Sequence, residues 1–147
     1  MYKNLLIPTD GSAASGKAVV EGVKLAKSLG AAVTAFFAAP EPTPLLYEAF
    51  LPADYAAREG HAELIGKTAA KYLGVIERAC DKAGVPCRSV HVTNDSAADA
   101  IVAAAKKYKC DLIFMASHGR RGLSGLLLGS QTQKVLTHSK VPVLVYR

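Results

Sequence analysis

The chain has 147 residues, half of them hydrophobic and 20% charged, which suits one domain over residues 1–147 and excludes a disordered or low-complexity polymer. No apolar run approaches the roughly 20 residues that span a bilayer, and the opening ten residues lack the apolar segment and cleavage site of a signal peptide, so a cytoplasmic location with no membrane attachment is expected. The 18 basic and 12 acidic residues leave a net charge of +6, which favours anionic partners without choosing among nucleotides, nucleic acid and acidic protein surfaces.

In chain order, Asn4 to Pro8 is a short apolar run that reads as a buried strand. Asp10-Gly11-Ser12 reads as a turn with Ser12 as helix N-cap. From Ala13 to Leu29, Val19, Val20, Val23, Ala26 and Leu29 fall at helical spacing, and Gly30 is a natural stop. Val33 to Ala38 is the second strand, with Phe36 and Phe37 supplying β-propensity. Pro40, Pro42, Pro44 and Pro52 rule out a regular helix over Ala39 to Asp54, which reads as a long connection with a helical turn near Leu45–Phe50. Tyr55 to Ala83 is a long helix with an apolar series at Leu64, Ala69, Leu73, Ile76 and Ala83, stopped by Gly84. Arg88 to Val92 is the third strand, and Ser96 caps a helix running to Tyr108. Asp111 to Ala116 is a fourth strand, buried on both faces. Ser117 to Leu128 is glycine-rich and irregular, Ser130 to Thr137 a short helix, and Val141 to Tyr146 the last strand. Strands alternating with helices predict a doubly wound, Rossmann-like α/β fold: a five-stranded parallel sheet in the order 3-2-1-4-5, with helices on both faces. Cys80, Cys87 and Cys110 form no Cys-x-x-Cys and no zinc spacing, and read as buried thiols in a reducing compartment.

In such a sheet ligands bind at the carboxyl ends of the strands where the order reverses, here between the first and fourth. Two sequences converge there. One is Pro8-Thr9-Asp10-Gly11-Ser12 after the first strand; the other runs from Ala116 to Ser130 after the fourth. The second has what a phosphate site needs. Its glycines allow close backbone approach, Gly129-Ser130 opens a helix whose amides attract an anion, and Arg120 and Arg121 add cationic donors. It is neither a Walker loop nor a G-x-G-x-x-G turn.

Across nearly its whole length the chain resembles a universal stress protein of the UspA family. The resemblance rests on Pro8-Thr9-Asp10-Gly11-Ser12, Ser117-His118-Gly119, Gly129-Ser130 and the ending Val141-Pro142-Val143-Leu144-Val145, all in matching order and place. It implies an adenine-nucleotide site for ATP or AMP, with Mg²⁺ accompanying the phosphates of ATP. Nucleotide-binding members carry Gly-x-x-Gly, nine residues, then Gly-Ser or Gly-Thr. Gly119, nine intervening residues and Gly129-Ser130 match the second half, while Ala116 stands where the first glycine would be. By the same resemblance Asp10 and the backbone near Ala38 face adenine, Ala116 lies near the ribose, and Gly119, Gly129, Ser130 and Gln131 contact phosphates. If Ala116 had to be left-handed, the strain of about 1–2 kcal/mol would cost at worst about tenfold to thirtyfold in affinity. The resemblance also implies a symmetric homodimer through the edge strand Val141–Tyr146, paired antiparallel across a two-fold axis.

The candidate ligand residues are therefore Pro8, Thr9, Asp10, Ala38, Ala116, His118, Gly119, Arg120, Gly129, Ser130 and Gln131. Each has a plainer role open to it. Asp10 can serve the turn before the first helix, the glycines can make an ordinary loop, and His118 can order that loop through a hydrogen bond. No serine, cysteine or carboxylate partner makes His118 a catalytic base, and no metal site is expected. Asp95 can line the pocket or serve a helix N-terminus. The leading function is a nucleotide-dependent stress-response protein with an unidentified protein partner and at most slow hydrolysis. The competing readings are a dimeric interaction module without nucleotide, which Ala116 favours, and a weak ATPase. A phosphoacceptor receiver lacks its acidic pair and lysine here, and nucleic-acid binding rests on net charge alone.

Overall fold

The computed structural model describes residues 1–41, 55–119 and 127–147, with backbone alone for 55–59. The elements are β1 (Asn4–Pro8), α1 (Ala13–Leu29), β2 (Ala32–Ala39), α2 (Tyr55–Ala83), β3 (Cys87–Thr93), α3 (Ala97–Lys107), β4 (Leu112–Ala116), α4 (Ser130–His138) and β5 (Val143–Tyr146). The five strands are parallel and ordered β3-β2-β1-β4-β5, the expected doubly wound topology. The expected helical turn near Leu45–Phe50, with most of its connection, lies outside the described residues.

The near-continuous apolar runs of β1 and β4 follow from burial on both faces. Leu5 and Ile7 join Leu112 and Phe114 in the core beneath α1 and α2. Leu6, Ile113 and Met115 point the other way, into a second core beneath α3 and α4. Alternate side chains leave a strand on opposite sides, so two hydrophobic layers require two apolar sets. Gly22 lets α1 approach closely: a Cβ there would sit 2.8 Å from Ile7 Cδ1 and 3.0 Å from Phe114 Cδ1.

The helix ends follow local chemistry. Ser12 Oγ accepts from Ser15 N, and Gly30 closes α1 in a left-handed conformation, φ 63°. Two apolar assignments move. Leu64 is 62% exposed and Val20 48%, because each lies one position off its helix's buried stripe. On α2 that stripe runs through Ala69, Leu73, Ile76 and Cys80, and four residues before Ala69 stands Ile65, which packs on the core in place of Leu64.

Element limits also shift. Asp111 lies before β4, and its carboxylate accepts from the amides of Lys3 and Asn4. β5 is shorter than the expected Val141–Tyr146. Val141 N donates to Ser139 Oγ and Pro142 has no N–H, so β5 begins at Val143, although the Pro142 carbonyl still accepts from Ile113 N. β3 gains a residue at each end through its seven-residue register with β2. Cys80 and Cys110 are buried, whereas Cys87, on the edge strand β3, is exposed, contrary to the expectation of three buried thiols. No helix among the described residues is long and apolar enough to cross a membrane.

Candidate functional site

The strand order reverses between β1 and β4, and their carboxyl ends open into a cavity of about 540 Å³. Its apolar wall includes Phe36, Ala38, Ile101 and Met115, and its polar side carries Asp10, Asp95, His118 and the start of α4. The size falls within the range of small-molecule pockets.

The loop after β1 is held by its own hydrogen bonds. Gly11 N donates to Thr9 Oγ1, Ser12 N to Asp10 Oδ1, and the hydroxyls of Thr9 and Ser15 lie 3.2 Å apart. Gly11 has φ 77°, and a side chain on it would run into the Tyr72 ring, itself edge-on to Phe37 at 5.2 Å. Gly119 and Gly129, after β4, are needed for space rather than for backbone conformation. A Cβ on Gly119 would collide with the Asp10 carboxylate, and one on Gly129 would stand 3.2 Å from His118 Cα. His118 Nδ1 is 3.1 Å from Ser117 Oγ, the loop-ordering contact that its plainer role implies.

Among the helices that begin at this end of the sheet, α1, α3 and α4 have N-termini that differ. The first free amides of a helix need acceptors from elsewhere. α1 has Ser12 as its cap. At α3, Ser96 Oγ accepts from Asp99 N, and Gln131 Oε1 reaches across from α4 to accept from Ala98 N at 2.9 Å. α4 has Gly129 at its N-cap position, with no side-chain cap bond and no acidic residue in its first turn. Gly129 N donates to Ser117 O, leaving the amides of Ser130, Gln131 and Thr132 without an acceptor inside the helix. Thr132 Oγ1 donates to Ala116 O, which fastens this helix start to the end of β4.

Ten of the eleven candidate ligand residues line the cavity: Pro8, Thr9, Asp10, Ala38, Ala116, His118, Gly119, Gly129, Ser130 and Gln131. Arg120, with Arg121, lies outside the described residues. Asp95 also lines the cavity, and its Oδ1 accepts from Glu41 N. Lys109 is the only described non-glycine residue with positive φ, so Ala116 carries no left-handed strain. Phe36, Ile101 and Met115 also line the cavity and are not among the candidate ligand residues. Period-two alternation from Leu6 and Ile113 to the facing positions on β2 and β4 is the signal that could have found Phe36 and Met115. Among the described residues no group of three or more His, Cys, Asp or Glu could hold a metal ion.

The family model for the universal stress protein family matches residues 1–147. A universal stress protein of Methanocaldococcus jannaschii is 32% identical over 147 residues, covering all of this chain and 83% of that protein. Among solved structures, that of the hypothetical protein MJ0577 superposes with a TM-score of 0.77 at 28% identity, over 99% of this chain and 95% of that one. A universal stress protein solved in complex with cAMP superposes with a TM-score of 0.68 at 24% identity, over 99% and 97% of the two chains.

Proposed function

The chain belongs to the universal stress protein family, and from that premise we propose that it binds an adenine nucleotide, ATP or AMP, in the crevice between β1 and β4 and acts as a nucleotide-dependent stress-response or signalling protein. The observation that carries the reading is the unequal treatment of the N-termini of α1, α3 and α4. At α1 a side chain of the protein accepts from one first-turn amide and at α3 from two, while α4 opens onto the cavity with no side-chain acceptor for any of its first three amides. An anion is the natural acceptor for such a terminus, through both its amides and the helix dipole.

An adenine ring suits the apolar wall of Phe36, Ala38, Ile101 and Met115, with Asp10 at its polar edge. The ribose then lies beside Ala116 and the phosphates reach Gly119, Gly129 and the amides of Ser130 and Gln131. The donor set fits ATP better than it fits a protein-held metal. Asp10 is the carboxylate nearest Gly119 and already accepts from Ser12 N, so Mg²⁺ would be held chiefly by phosphate oxygens and water. That a related fold has been solved with cAMP agrees with an adenosine ligand. Hydrolysis in this reading is slow at most, because His118 is turned to Ser117.

Calorimetric titration with ATP, ADP and AMP, with and without Mg²⁺, tests the proposal. Saturable binding of at least one nucleotide is expected. Silence toward all three would transfer the function to a nucleotide-free interaction module, and fast turnover of bound ATP would make the protein an enzyme. We also propose that two copies pair through β5, the edge strand beside β4, whose Leu144 is 37% exposed. Sedimentation of Leu144→Lys should show a monomer where the unmodified chain shows a dimer.

A further inference from the structure

At the opposite end of the sheet from the cavity, α2 turns into β3 between two cysteines. Cys80 lies in the last turn of α2 and is fully buried. The chain reverses at Gly84, φ 70°, where Val85 N donates to Cys80 O at 2.9 Å. Cys87 opens β3, directly opposite Val33 of β2. Register partners in a parallel pair share a face of the sheet, and Val33 belongs to the same buried core as Cys80. Two residues along, Ser89 Oγ donates to Glu77 of α2, which fixes that face of β3 against the helix. The two thiols lie near enough for each to act on the other's ionisation. Cys87 is exposed on an edge strand, so an oxidant can reach it. Cys110 lies in the other core, with the sheet between it and this pair.

We propose that Cys80 and Cys87 form a peroxide-oxidisable pair that closes to an intramolecular disulfide, tying the end of α2 to the edge strand β3. This site is independent of the nucleotide reading.

Burial, with the Cys87 contact and the nearby charges of Asp81 and Glu77, pushes the Cys80 thiol up to about 12. Desolvation raises Cys87 as well, partly offset by the neighbouring Cys80 and the backbone at Ala35. Cys87 is the sulfur an oxidant can reach and Cys80 is buried, so Cys87 is the attacking sulfur and Cys80 the resolving one. The Cys87 thiolate attacks one oxygen of hydrogen peroxide. The O–O bond breaks, the departing hydroxide leaves as water with the thiol proton, and Cys87 becomes a sulfenic acid. Cys80 sulfur then attacks Cys87 sulfur, the S–O bond breaks, the S–S bond forms, and a second water carries off the Cys80 proton. Two thiols have lost two electrons and two protons to one peroxide.

The test uses the whole folded chain. It is treated with hydrogen peroxide, its remaining thiols are blocked under denaturing conditions, and it is digested with trypsin without reductant. Cleavage after Arg78, Lys82 and Arg88 puts Cys80 in peptide 79–82 and Cys87 in peptide 83–88. The expected product is these two peptides joined, released by reductant, with Cys110 the remaining free thiol. It should form faster as pH rises from 7 to 9, and Cys110→Ser should form it equally. Both peptides recovered singly with blocked thiols would overturn the proposal. So would Cys87 recovered as sulfinic acid beside a blocked Cys80, or peptide 83–88 joined to itself between two chains.

Discussion

Replacing Ser130 with Glu should raise stability and weaken nucleotide binding together. Ser130 is the first residue of α4 and is exposed, and no acidic side chain occupies that first turn. A carboxylate at a helix N-terminus stabilises by about 0.3–1 kcal/mol, or a rise of about 1–4 °C in Tm for a domain of this size. The same charge repels a phosphate bound at the α4 amides. At about 5 Å, two unit charges repel by about 0.8 kcal/mol in a water-like dielectric and by about 3 kcal/mol at the effective dielectric of a protein surface. The predicted weakening is therefore from about fourfold to a few hundredfold. Calorimetry with AMP and adenosine separates this from general damage, because adenosine lacks the phosphate and should bind the two proteins alike. If Ser130→Glu melts higher yet binds AMP as tightly as before, the phosphate does not lie at α4. If AMP and adenosine weaken equally, the loss is not electrostatic.

Other outcomes follow from single contacts. Gln131→Ala removes the acceptor of Ala98 N across 33 residues of chain; urea unfolding should show a loss of about 1 kcal/mol, while AMP affinity stays within about twofold, since the Gln131 backbone amide is retained. Gly22→Ala should destabilise by about 1 kcal/mol despite the better helix propensity of alanine, because its methyl would press on Ile7 and Phe114; a raised urea midpoint would refute the close approach. Under reducing conditions stability should fall as pH climbs from 9 toward 12. The Cys80 thiol, held at about 12 against an ordinary 9.0, keeps its proton in the fold after the unfolded chain has lost it, so the unfolded state binds fewer protons across that window. Cys80→Ala should flatten this slope in unfolding curves taken at pH 8 and pH 10.5.

The elements and their order were legible in the sequence because they depend on neighbours within a turn or two. Ser12 caps α1 through a bond spanning three residues. Gly30 and Gly84 adopt the left-handed conformations that stop their helices. Apolar runs at β1 and β4 announce burial on both faces, and from that the parallel doubly wound sheet and the position of its crevice follow. Pro8, Asp10, Gly119 and Gly129 could be placed at the crevice on that basis, and they line it.

What the tertiary structure decided involves partners far apart in the chain. Gln131 reads as a phosphate contact, yet its side-chain oxygen closes the start of α3, a helix that begins 34 residues earlier. The second side-chain acceptor at the start of α3 depends on that cross-helix bond, and no local propensity contains it. Ala116 reads as a departure from a glycine pattern, and only its backbone angle shows the departure to be unstrained. Leu64 and Ile65 are equally apolar neighbours, and the rotation of α2 on the sheet decided that Ile65 packs and Leu64 is exposed. Local sequence sets backbone conformation through steric and hydrogen-bonding terms a few residues long. Cavities, cross-helix caps and the choice between adjacent apolar residues come from packing elements joined only through the core.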